Sequence, residues 1–147
     1  MLMIKLIHCS NVQNEMFRWV NTNISPEMKQ GLNYVFVSYY EDDCNNLQPN
    51  WQRVFDSLHV IFPNSHLGIG ECGTNNAVLK ETYINRYYKM HITTPKFVGG
   101  YFFFYFRQDC VPWTTKPLWG IIEYAIRASV LLYDLNENEM IRDGDGY

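Results

Sequence analysis

Three short apolar runs, separated by stretches with helical spacing, constrain this chain more than any other feature. Tyr34-Val35-Phe36-Val37-Ser38-Tyr39-Tyr40 is β-branched and aromatic, as a buried parallel strand requires. His66-Leu67-Gly68-Ile69-Gly70 is the second run, with glycines where backbones or a ligand come close. Phe97-Val98-Gly99-Gly100-Tyr101-Phe102-Phe103-Phe104-Tyr105-Phe106 is the third and the most apolar. Their starts lie roughly thirty residues apart, the length of one βαβ unit.

Helical patterns fill the gaps. Pro49 suits a first helical turn, where its missing N–H costs nothing. Trp51, Val54, Phe55 and Leu58 then recur at three- and four-residue spacing until Pro63 and Asn64 end the run. A second helix is expected to open between Thr74 and Ala77, with Leu79, Tyr83, Tyr87 and Tyr88 on one face. A third is expected from Pro117, striped by Leu118, Ile121, Ile122, Ala125 and Ile126. Further helices are expected over residues 14–20 and after Ser25-Pro26-Glu27, and a further strand over residues 3–7. Alternation of this kind predicts an α/β fold: βα repeats with parallel strands joined by right-handed crossovers. Residues 1–133 read as one domain, and the polar residues 134–147 as a frayed tail.

Each strand runs into an acidic segment that carries a cysteine. These are Glu41-Asp42-Asp43-Cys44, Glu71-Cys72 and Arg107-Gln108-Asp109-Cys110. Parallel α/β folds bind ligands at the carboxyl ends of their strands, so the three segments would share one rim. Glu71 is the sharpest candidate, because a carboxylate ending a buried strand is costly unless paired. Its structural alternative is a glutamate bonded to backbone or to Arg107. Within the acidic run at 41–43, solvated surface is the expected state, with at most one side chain turned inward. Strand alternation lets only one of Tyr39 and Tyr40 reach the rim, and Tyr40, nearer the end, is the expected partner of Glu71. Tyr105 and Trp113 offer rings for a cleft or for the core. Arg107 offers a planar fork for a carboxylate.

Composition removes several classes of function. Charged residues make up 18% of the 147 and the net charge is −3, with no basic stripe for nucleic acid or an anionic membrane. The opening Met1-Leu2-Met3-Ile4-Lys5-Leu6-Ile7 lacks the features of a secretory signal, and no window has the apolar length of a membrane span. No C-x-x-C pair, spaced histidines or phosphate loop is present, so no metal site and no cofactor is expected. The aromatic share of 16% serves a packed core, and it also suits the apolar faces of sugar rings.

Residues 34–44, 51–73 and 99–109 resemble strands six to eight of the (β/α)8-barrel glycoside hydrolases of the large retaining clan. The resemblance covers residues 14–130 and implies half of a TIM-type barrel acting on or binding carbohydrate. It makes Glu71 the nucleophile, Tyr40 or Tyr39 its hydrogen-bond partner, and Tyr105 or Phe106 an aromatic platform. Glu41, Asp109, Arg107 and Trp113 would complete the binding rim. The family's acid/base glutamate follows an asparagine on strand four. Here Asn14-Glu15, Asn136-Glu137 and Asn138-Glu139 all fall in helical or tail segments. A whole barrel needs about 250 residues. This chain by itself is therefore expected to show weak or no hydrolysis, and self-association through exposed strand edges is expected. Two rival readings are a non-catalytic carbohydrate-binding or structural barrel portion, and a small metal-dependent α/β hydrolase using the acidic, cysteine-bearing rim.

Overall fold

The computed structural model describes residues 1–5, 12–100 and 103–129. Four strands form one sheet: β1 (Leu2–Lys5), β2 (Tyr34–Ser38), β3 (His66–Glu71) and β4 (Phe97–Gly100). All neighbours are parallel and the spatial order is β1-β2-β3-β4, the same as the chain order. Helices α1 (Val12–Asn23), α2 (Pro26–Gly31), α3 (Trp51–Ile61), α4 (Lys80–Tyr88) and α5 (Phe106–Cys110) follow in sequence, and helical backbone at 118–129 makes α6. A sheet that advances one strand at a time with right-handed crossovers puts its helices on one face. The result is a partial βα-repeat, barrel-like arrangement.

Local chemistry explains most element ends. Asn50 caps α3 by accepting from the Arg53 N–H at 3.1 Å. Pro49 therefore lies before the cap instead of in the first turn. At the far end the Phe62 N–H closes on the Leu58 carbonyl at 2.8 Å, just ahead of Pro63. Ser25 caps α2, with Pro26 in its first turn and Glu27 favourably placed at the positive end of the helix. Trp51, Val54, Phe55 and Leu58 turn one buried stripe of α3 onto Val35, Val37, Leu67 and Ile69 of the sheet. Met16 and Val20 of α1 join the same core. A second cluster of Ile84, Tyr88, Phe103, Cys110, Ile122 and Ala125 binds α4, α5 and α6 together.

Two expected elements form differently. The second crossover helix opens at Lys80, not between Thr74 and Ala77. Ahead of it Thr74 Oγ1 accepts from the Asn76 N–H at 3.0 Å, and Asn76 Oδ1 from the Val78 N–H at 3.1 Å. These short side chains bond the local backbone in a turn, which competes with helix. Among its described residues the third apolar run is strand over Phe97–Gly100. Phe103 keeps one isolated bridge to Cys72, its N–H goes to the Tyr88 hydroxyl at 2.9 Å, and 106–110 is helical. Tyr101 and Phe102 lie outside the described residues, as do residues 6–11 and 130–147, with Cys9, Ile7 and the expected tail.

The sheet face away from the helices is less covered. Met3 is 44% exposed and Tyr34 43% exposed there, on the side that Phe36 shares by strand alternation. Among the described residues no helix is long and apolar enough to cross a membrane.

Candidate functional site

The register between β2 and β3 determines which way Glu71 points. Val35 pairs with Leu67 and Val37 with Ile69, and both pairs are buried against the helices. Unbroken alternation would then send Glu71 toward the helices too. Instead Ser38 pairs with Glu71, and Gly70 is skipped. This bulge turns Glu71 onto the face of Phe36 and Tyr40, as bulges re-aim side chains beside sites. Glycine is needed at the skipped position. A Cβ on Gly70 would stand 2.9 Å from the Phe36 Cβ and 3.2 Å from the Met3 side chain.

Glu71 is half-buried at this strand end. The Tyr40 hydroxyl donates to its Oε2 at 3.1 Å, the partnership expected from the strand ends. Burial, and then the negative charge of Glu71, push the Tyr40 phenol above its ordinary range, which keeps it a donor. Tyr39 takes the opposite side. It is fully buried, donates to the Leu47 carbonyl at 2.6 Å, and meets Trp51 edge-on at 5.3 Å.

Aromatic rings border the pair. Phe104 lies edge-on to Tyr40 at 5.8 Å and to Tyr105 at 5.5 Å, and remains 51% exposed. Tyr105 is half-buried, and the Lys80 ammonium sits 5.2 Å from its ring centre. Lys80 also holds Asp109 in an ion pair at 2.5 Å. Trp113, beyond α5, is exposed.

The other acidic residues have different surroundings. Glu41 is 2% exposed and turns into the helix layer. There Arg86 of α4 grips both carboxylate oxygens and the Tyr87 hydroxyl donates to Oε1 at 2.8 Å. One member of the acidic run is thus inward, away from Glu71. Asp42 and Asp43 are exposed, with Asp42 accepting from Thr74 Oγ1 at 2.6 Å and from the Tyr83 hydroxyl at 3.2 Å. Arg107 and Asp109, expected in the acidic segment into which the third strand runs, are carried by α5. Arg107 is exposed and makes no ion pair among the described residues, so it does not hold Glu71.

Cys44, Cys72 and Cys110 are all buried. Burial, with a smaller push from Glu41, raises the Cys72 thiol to about 12. Among the described residues no three of His, Cys, Asp and Glu gather as metal ligands. Comparison of the chain with protein-family models, with curated proteins and with solved structures gave no match.

Sequence reasoning missed Phe104, Lys80, Arg86 and the bulge. Phe104 carried a signal within the aromatic run, but it lies in the turn that opens α5, where strand alternation has no meaning. Lys80 and Arg86 reach acids 29 and 45 residues away, which no local pattern encodes.

Proposed function

We propose that this chain is the nucleophile-bearing portion of a carbohydrate-active βα barrel of the retaining glycoside hydrolase type. The carrying observation is Glu71, re-aimed by the bulge, held by Tyr40 and bordered by Phe104 and Tyr105 at the carboxyl end of a central parallel strand. Ligands of such folds sit at that end. Flat rings beside a carboxylate suit a sugar, whose apolar face stacks while a developing positive charge meets the anion.

Glu71 is the nucleophile in this reading, and Tyr40 orients it. Tyr105 stacks on the sugar, its ring steadied by Lys80 and Asp109, and Trp113 and Arg107 extend the binding rim. Retaining hydrolysis needs a second carboxyl group about 5 Å away. Glu41 is consumed by Arg86 and Tyr87, and Asp109 by Lys80. The chain therefore traps activated substrates and turns over ordinary ones weakly or not at all. No further strand pairs with β1 or β4 among the described residues, so self-association through these edges accompanies the reading.

Activated 2-fluoro glycosides test it, because their leaving group needs no acid. Incubation with gluco, manno, galacto and xylo probes, followed by peptide mass mapping, should place the label on Glu71. Absence of label with every probe rejects the nucleophile assignment. Rapid turnover of an aryl glycoside, abolished by Glu71→Gln, would reject the claim that the acid/base is missing.

A further inference from the structure

Beneath the Tyr40–Glu71 pair lies a buried hydroxyl with no use so far. Ser38 is 4% exposed, and its Oγ has no hydrogen-bond partner among the described residues. Buried hydroxyls are almost always paired, because leaving one dry and unpaired is costly. Val37 and Tyr39 both bury in the helix-side core, so alternation turns Ser38 to the opposite face with Phe36 and Tyr40. The bulge makes Glu71 the cross-strand neighbour of Ser38 on that same face. Directly opposed side chains on adjacent strands lie within reach of each other.

Of the two residues paired with Ser38 across the sheet, Glu71 of β3 carries a side-chain acceptor and Lys5 of β1 carries a donor. Phe36, Met3 and Gly70 meet on this face, and none has a polar side-chain atom. Glu71 accepts from Tyr40 through Oε2 alone, and no described donor reaches Oε1. A half-used carboxylate and an unused hydroxyl therefore occupy paired positions of the sheet.

We propose that Ser38 is a positioning residue whose hydroxyl donates to Glu71 Oε1 after rotation of the two side chains, so that Ser38 and Tyr40 hold the carboxylate from two sides. Hydroxyl donors favour the carboxylate over the carboxylic acid. A carboxylate fixed in this way suits attack on a sugar carbon and not proton donation. That consequence rests on the nucleophile reading above, but the hydrogen bond does not.

A double-mutant cycle tests the bond on the folded chain without any sugar. Ser38→Ala is measured by urea denaturation alone and in a Glu71→Met background. Its cost to the folding equilibrium constant should be larger by about fivefold when Glu71 is present, as for directly coupled neighbours. The Glu71 carboxylate stretch, isolated in infrared difference spectra against Glu71→Met, should shift in Ser38→Ala and return toward its original position in Ser38→Thr. A serine that merely fills space would move neither reading, so an additive cycle with an unshifted band overturns the proposal. Failure of sugar labelling with the coupling intact would remove the nucleophile reading and leave the bond established.

Discussion

Glu41 and Glu71 lie at the carboxyl ends of neighbouring strands and meet opposite chemical surroundings. Glu41 lies in the helix layer, almost without exposure, with both oxygens taken by Arg86 and a further bond from Tyr87. Glu71 is half-buried, faces away from the helices, and accepts one described hydrogen bond. The more buried acid is the less available one. A fully paired charge does structural work, tying the turn at Glu41–Cys44 to α4. A carboxylate with lone pairs still unclaimed at a strand end is open to a ligand. Burial alone therefore misleads a search for function, and the decisive quantity is how many of the acid's lone pairs the protein already uses.

The largest expected effect breaks the Glu41 side. Arg86→Met strands a carboxylate in the helix layer and should cost about 3 kcal/mol of stability by urea denaturation, as for other broken buried pairs. A cost below about 1 kcal/mol would mean that Tyr87 and water suffice, and the contrast with Glu71 would weaken. Glu41→Gln should cost less, because it leaves behind a guanidinium that is partly exposed.

Gly70→Ala attacks the Glu71 side through the backbone. The added methyl meets the Phe36 Cβ, so the bulge must shift, at a cost of about 1–3 kcal/mol. The same variant should lose labelling at Glu71 as the carboxylate turns away from Tyr40. Retained labelling at the wild-type rate would show that the bulge does not aim Glu71.

Alkaline titration sharpens the difference between the two sides. The Cys72 thiol has an ordinary value of 9.0 and is raised to about 12 in the fold, first by burial and then by Glu41. Between those values the unfolded chain releases the proton and the folded chain keeps it. Stability should therefore fall as pH rises from 9 toward 12, by at most about 1.4 kcal/mol per pH unit for this group. The buried Tyr87 phenol is also raised and acts in the same direction at higher pH. Glu41→Gln should lessen the fall from its onset near pH 9, whereas Glu71→Gln should lessen it only above pH 10, through the Tyr40 phenol that Glu71 helps to raise. Equal slopes in all three proteins would contradict the electrostatic assignment.

The smallest effect falls on Glu71 itself. Glu71→Gln keeps the shape and an acceptor for Tyr40, so stability should change by less than about 1 kcal/mol. Sugar-probe labelling should nevertheless vanish. A loss of stability as large as that of Arg86→Met would make Glu71 another structural acid.

The sequence by itself determined the layers. Valines and aromatics at 34–38 and the apolar stripe at 51–58 are local patterns, set by the periods of strand and helix. They gave the βα alternation and put Glu71 at the end of a strand. Alternation let only one of Tyr39 and Tyr40 reach it, and nearness to the strand end favoured Tyr40. Tertiary structure decided the rest. The turn at Phe103 and Phe104 depends on Tyr88 and Cys72 accepting their N–H groups, and it leads Arg107 and Asp109 onto a helix. Glu41 is buried because Arg86 arrives from a later helix. The direction of Glu71 depends on a single register skip against Phe36. Periodicity is a property of neighbours along the chain, whereas pairing and register are set by distant residues competing for the same space and the same hydrogen bonds. Glu71 was legible as a residue at a strand end, but the side of the sheet it faces was not.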